Sequence, residues 1–222
     1  MGVDDNVKAL MKPFSHAMRI AGNKTVDHWS VMKSRLRAAP KDEGLWDEIF
    51  DDFYLTRIKT RYLEPMESIR ARGTRNGEGF AIVALFCSLI EFLESCETGQ
   101  KYHHLKKGEK LSENEYSNSS DCFQTFLKTR SPFKTLVPSK LVKGFYEDVR
   151  CGLLHEARTK GGWVVAASGS NLISETAGEI TISRNRLVPA LNEYFEDYRS
   201  RLLANRSTQE AFIRKFDHLC ES

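Results

Sequence analysis

Arg150 and His155 are the two residues of this 222-residue chain whose types and spacing best fit a reaction. They lie in FYEDVRCGLLHEARTKGGW, residues 145 to 163, with four residues between them. Arginine keeps its charge at any ordinary pH and grips a phosphate through two parallel N–H bonds. Histidine takes and gives protons near neutrality. Together they suit cleavage of a phosphodiester. The imidazole would move a hydroxyl proton while the guanidinium stabilises charge on the non-bridging oxygens. One helix alone opposes this, because five positions turn through about 140°. Three things would bring the groups together: the length of arginine, a helix distortion near Gly152, or a second copy of the helix. The plain alternative is an exposed arginine and a histidine at a helix end, where the dipole favours its cation.

The elements that must position this pair read mainly as helices. Leu141, Phe145, Val149 and Leu153 recur at every fourth residue. They predict a helix from about 138 to 158, ended by Gly161-Gly162. The most apolar stretch is GFAIVALFCSLIEFLES, residues 79 to 95. Phe80, Val83, Phe86, Leu89, Ile90 and Leu93 follow helical spacing there and predict a central bundle helix. Glu91 lies inside it. A carboxylate among apolar neighbours is costly unless paired, so Glu91 either pairs inward or shares a narrow exposed strip with Glu94. Phe123, Phe126 and Leu127 share one face of a shorter helix. The runs WVVAAS, NLIS and ITIS then predict a small antiparallel β-meander over 163–184. Leu187, Leu191, Tyr194, Phe195, Tyr198 and Leu202 predict the first of the C-terminal helices over 186–218, capped by Asn185.

Residues 1–60 predict a helical segment packing on the bundle, and 61–222 form the main domain. Val7, Leu10, Met11, Phe14, Ala17 and Met18 recur at three and four, as do Val26, Trp29, Met32 and Leu36 beyond the Gly22-Asn23 break. KDEGLWDEIFDD, residues 41 to 52, reads as a helix with an acidic solvated face and an apolar face of Trp46, Ile49 and Phe50. IRARGTRNGEGF, residues 69 to 80, reads as a loop, and its glycine spacing matches neither the Walker nor the dinucleotide pattern. Residues 97–120 form a polar insertion. Between 101 and 110 it sets Lys101, Lys106, Lys107 and Lys110 against Glu109 alone, beside Tyr102, His103 and His104.

Composition bounds the class. With 41% hydrophobic and 28% charged residues the chain is neither disordered nor membranous. No apolar run reaches the ~18 residues of a spanning helix. The start, MGVDDNVKAL, lacks the basic and apolar regions of a signal peptide, and Asn6 breaks the myristoylation pattern. A net charge of +3 neither demands nor excludes nucleic acid. The five cysteines, Cys87, Cys96, Cys122, Cys151 and Cys220, form no C-x-x-C and read as reduced and cytosolic. A zinc site on Cys96, His103 and His104 is the sharper alternative, with a spacing that matches no common ligand pattern. There is no nucleophile elbow, H-E-x-x-H or kinase signature. A DNA-binding helix over 187–204 would carry Arg199 and Arg201, but also Glu193, Glu196 and Asp197.

In order along the chain, GEGFAIVALFCSLIEFLES, FYEDVRCGLLHEARTKGGW, the β-like runs and ISRNRLVPALNEYFEDY resemble the HEPN superfamily. These are small helical domains of many prokaryotic defence and toxin systems. The likeness covers about residues 60 to 204 and rests on an R-x4-H signature. It implies a helical bundle that dimerises with the Arg/His helices of two chains facing each other. It further implies a metal-independent, cytoplasmic endoribonuclease attacking through the ribose 2′-hydroxyl, without a cofactor. It would be a toxin or defence effector, with an antitoxin or regulatory partner. Carried over, Arg150 holds the phosphate, His155 transfers the proton and Glu91 orients or neutralises the arginine. Tyr146, one turn before Arg150, is expected on the same face from spacing. Arg158, Lys160, Lys106 and Lys107 are the basic residues expected on the RNA backbone. Cys151 departs from the family, in which the residue after the arginine is often Asn, Asp or His. A thiol is a poor substitute for those groups. The alternative is therefore an inactive dimer that binds a nucleotide, an RNA or a protein.

Overall fold

The computed structural model describes residues 18–73 and 77–221. The chain is mainly helical with small sheets, and it divides into two compact units. The first comprises the chain up to Arg57 together with Phe216 onward, and the second runs from Ile58 to Lys215. The expected helix through Val7, Leu10 and Phe14 lies outside the described residues.

In the first unit, residues 18–25 are not helical. Strand β1 (Arg19–Ala21) pairs antiparallel with β2 (Lys24–Thr25), and the Gly22-Asn23 break is the turn between them. Gly22 takes φ +51°, a conformation that costs glycine little. Helix α1 (Val26–Ala38) follows from a capping box, in which the His28 ring accepts from the backbone N–H of Thr25. It buries Trp29, Met32 and Leu36. Helix α2 spans 43–72 and starts where Asp42 accepts from the Leu45 N–H. Trp46, Ile49, Phe50 and Phe53 are buried, while Glu48 and Asp52 pair with Arg35 and Lys24. Trp29 packs between Phe53 and Phe216, with ring centroids 5.4 and 5.2 Å away.

The second unit is organised on helix α3 (Glu78–Thr98). By length and composition this helix could cross a bilayer, although no single run in the sequence predicts one. Just over half of its most apolar window (56%) is buried among the other helices of the unit. Helix α4 (Ser119–Thr129) packs on α3, capped by Asn118, and buries Phe123, Phe126 and Leu127. A short α5 (Phe133–Leu136) leads into α6, helical from 142 to 156. Phe86 of α3 stands between Phe133 and Phe145, and Phe145 stacks on Trp163 at 5.3 Å. Each such ring removed from water contributes about 2–3 kcal/mol. Between α3 and α4, β3 (Lys101–Tyr102) pairs in parallel with β4 (Glu115–Tyr116).

The expected antiparallel meander is instead a mixed sheet. Strand β7 (Glu179–Ser183) lies in the centre, with β5 (Trp163–Ala166) parallel on one side and β6 (Ile173–Thr176) antiparallel on the other. Ala177 and Gly178, both at positive φ, close a two-residue hairpin that fixes β6 on β7. The connection 167–172 is long enough to carry the chain past the central position, so β5 meets β7 rather than β6. Helix α7 (Leu187–Ala204) then starts from a short 3₁₀ turn, Arg184–Arg186, with no side-chain cap from Asn185. Helix α8 (Arg206–Cys220) ends the chain.

Candidate functional site

Helix α6 changes its winding at the residues singled out by their chemistry. Phe145–Arg150 form a π turn, in which the Cys151 N–H reaches back five residues to the Tyr146 carbonyl. Such turns recur at functional sites, because the widened coil re-aims the side chains that follow. The loop after the helix helps to hold this geometry. Its Lys160 N–H donates to the Asp148 carbonyl at 3.0 Å, and the Arg158 N–H approaches the Gly152 carbonyl at 3.4 Å. The helix therefore ends at Glu156, with Ala157 at φ +55°, earlier than Gly161-Gly162. A Cβ on Gly152 would stand 2.5 Å from the Arg158 carbonyl oxygen, so only glycine lets the loop return this closely.

Arg150 emerges from the π turn toward α3. One terminal nitrogen donates to Glu91 Oε1 at 2.9 Å, and the guanidinium carbon stands 5.4 Å from the centre of the Tyr146 ring. Burial opposes the arginine's charge, but Glu91 and the Tyr146 oxygen outweigh it and push its pKa up. Burial raises the Tyr146 phenol, with Arg150 working against it. The structure thus brings together Arg150, Glu91 and Tyr146, with Cys151 beside the tyrosine. Of these, Arg150 and Glu91 line a crevice of about 350 Å³ between α3 and α6, together with Ala84, Cys87, Ser88, Leu153 and Leu154. The volume falls within the usual range of small-ligand sites. Sequence reasoning passed over Ala84, Cys87, Ser88 and Leu154. Their signal was the four- and three-residue spacing of Ala84, Ser88 and Glu91, which puts small and polar groups on one strip of an apolar helix. Burial pushes the Cys87 thiol well up, so it is a neutral wall rather than a nucleophile.

His155 is not in this group. It sits in the last turn of α6, exposed, outside the crevice lining, and with no hydrogen bond or ion pair to a described residue. Arg158 and Lys160 lie on the returning loop and both pair with Glu156, at 3.2 Å each. Lys106 and Lys107 belong to the 100–118 loop and do not line the crevice. The zinc alternative fails. Cys96 is buried in α3, His103 stands between Glu115 and Glu109, and no group of three metal-ligating residues occurs among the described residues.

The guanidinium is half spent. Arginine carries five N–H donors. Arg150 commits one nitrogen to Glu91, and its remaining donors have no hydrogen-bond partner among the described residues. An anion entering the crevice would meet a fixed cation with unused donors, flanked by apolar walls. No family model, curated protein or solved structure matches this chain.

Proposed function

We propose that the chain is a HEPN-type endoribonuclease that acts as a homodimer on single-stranded RNA without a metal ion. The observation that carries this reading is the half-spent Arg150 guanidinium, steered into an open crevice by Glu91 and Tyr146. Arg150 stabilises the phosphate. His155, on the same helix, removes the 2′-hydroxyl proton in the cleft shared with the second copy. The 2′-oxygen bonds to phosphorus, the P–O5′ bond breaks, and the 5′-oxygen leaves with a proton from the imidazolium. The dimer expectation is supported by the apolar surface around the crevice. Leu154 is 62% exposed and Phe80 40% exposed, and Ala81 and Ala84 are exposed beside them. Apolar patches of this kind mark association surfaces.

The test is incubation of the purified chain with mixed single-stranded RNA in chelator and in magnesium, with Arg150→Ala and His155→Ala as controls. Cleavage in both buffers, leaving 2′,3′-cyclic phosphate ends and lost in both variants, is the expected result. Intact RNA in every condition would end this reading. A second reading, a non-catalytic binding dimer, is favoured by the position of His155 outside the crevice. It requires that His155→Ala change nothing while Arg150→Ala loses binding.

A further inference from the structure

The 100–118 loop is built unlike a passive connector. Tyr102 is 51% exposed, yet its ring is braced by Tyr116 at 5.7 Å, with ring planes 70° apart. Both tyrosines sit at paired positions of the β3–β4 ladder. His103 holds the loop's acids. Its Nδ1 stands 3.0 Å from Glu115 and its Nε2 3.4 Å from Glu109. Backbone N–H groups of Ser112 and Lys106 donate to the same two carboxylates. Two of the loop's three glutamates are therefore satisfied inside it. The ammonium groups of Lys106, Lys107 and Lys110 meet no partner among the described residues, and all three side chains are exposed. The loop thus carries three such ammonium groups within eight residues of Tyr102 in the sequence.

We propose that this loop is a binding platform for single-stranded RNA, with Tyr102 stacking on a base and Lys106, Lys107 and Lys110 on the flanking phosphates. An exposed, rigid aromatic ring among unpaired cations is the chemistry by which single strands are held without sequence preference. A membrane-inserting loop would present several apolar tips, whereas here Leu111 at 39% is the other large apolar group exposed. The platform is also tied to the Arg150 crevice. Tyr116 and Cys122 line one cavity, the Cys122 thiol donates to the Glu91 carbonyl at 3.8 Å, and the Glu91 carboxylate pairs with Arg150. The choice of RNA over DNA rests on the ribonuclease reading; the stacking and phosphate contacts do not.

The experiment titrates a fluorescein-labelled 12-nucleotide single-stranded RNA with the full chain, following anisotropy between low and moderate salt. Tyr102→Ala weakens binding about tenfold, and Tyr102→Phe retains it. Lys106→Glu with Lys107→Glu weakens binding and flattens the log–log salt slope by about 1.4. Thermal melts confirm that each variant is folded. Wild-type affinity in Tyr102→Ala and in the lysine variant, or capture by phosphatidylserine vesicles in preference to RNA, overturns the proposal. RNA bound through the loop but never cleaved upholds this proposal and sinks the ribonuclease reading. Cleavage with no loop dependence does the reverse.

Discussion

Helix α3 carries three glutamates at three-residue spacing, Glu91, Glu94 and Glu97, and each meets an arginine from another element. The pairs differ in how fully they close. Arg130 grips Glu94 with two bonds at 2.8 and 2.7 Å. Arg201 grips Glu97 with two at 2.6 and 2.7 Å, and Tyr194 donates a third at 2.9 Å. The Glu94 and Glu97 side chains retain only 4% and 3% exposure. Arg150 gives Glu91 a single bond and Glu91 stays 19% exposed, so the difference lies in the glutamates, because the three arginines are all partly exposed. The closed pairs use most of their capacity to tie α3 to α4 and α7. The open pair leaves capacity unused. A buried, fully hydrogen-bonded ion pair is costly to break from one side, whereas a half-open one contributes little to stability. We conclude that α3 is structural at one end of this strip and available for chemistry at the other.

Substitution separates the two ends. Arg150→Ala should lower RNA cleavage about 10²- to 10³-fold, as expected when a transition-state charge loses its donor. It should cost only about 1 kcal/mol of stability. Glu94→Ala removes both hydrogen bonds of the Arg130 guanidinium, leaving it only Glu97 at 3.7 Å, and should cost about 3 kcal/mol. At about 2–4 °C per kcal/mol for a chain of this size, Tm falls by about 6–12 °C. Parallel melting and cleavage assays decide the matter. Equal drops in Tm would make the two pairs one structural series and remove the distinction.

Much of this strip was legible beforehand, because helical spacing follows from local sequence. The apolar faces of α3, α6 and α7 were read from residues such as Phe86, Val149 and Tyr194, and all three are buried. Non-local features were not legible. The π turn at Phe145–Arg150 is braced by a donor from Lys160, ten residues beyond the turn's end. The place of β7 between β5 and β6 depends on pairings that alternation of apolar residues does not encode. The helix end at Ala157 escaped notice because alanine rarely adopts positive φ. Arg130 and Arg201 carried no motif, and only the fold shows which glutamates they meet. For the candidate site, the spacing left Glu91 either paired inward or on an exposed strip; only the resemblance set it beside Arg150, and the two are hydrogen-bonded. The sequence offered arginine's length, a helix distortion near Gly152 or a second chain as ways to bring His155 to Arg150, and within one chain His155 stands apart.

Gly152→Ala sharpens the comparison from the α6 side. Alanine gains about 1 kcal/mol of helix propensity over glycine. The methyl group, however, meets a backbone carbonyl that cannot rotate away, at 2.5 Å. Overpacking of this kind costs about 1–3 kcal/mol. The net expectation is a loss of about 1 kcal/mol, read as a lower urea midpoint. Cleavage should fall as well, because the loop that braces the π turn is pushed off while Glu91, Glu94 and Arg130 are untouched. A stabilised, fully active variant would show that the returning loop plays no part in aiming Arg150.

The smallest effect concerns the 100–118 loop, where His103 holds a half-buried Glu115 and an exposed Glu109. Hydrogen bonds from Ser112 and then His103 hold the Glu115 carboxyl down to about 2. The Lys106 N–H holds Glu109 below its usual value. The hydrogen bond to Glu115 raises His103 above its usual value, with Glu109 adding to it. A carboxylate depressed on folding contributes stability above its unfolded pKa and loses it as pH falls through the folded value. A raised imidazole contributes below its unfolded pKa and loses it as pH rises through the folded value. The clamp is therefore complete only between about pH 5 and 6.5. Amide hydrogen exchange across 101–116, corrected for the intrinsic pH dependence of exchange, should show maximal protection in that window and loosening on both sides. In His103→Ala the alkaline limb should vanish while the acid limb, carried by the backbone donors to Glu109 and Glu115, persists. Protection that continues to rise above neutrality in the wild type would mean that His103 is not the group holding the loop's acids in place.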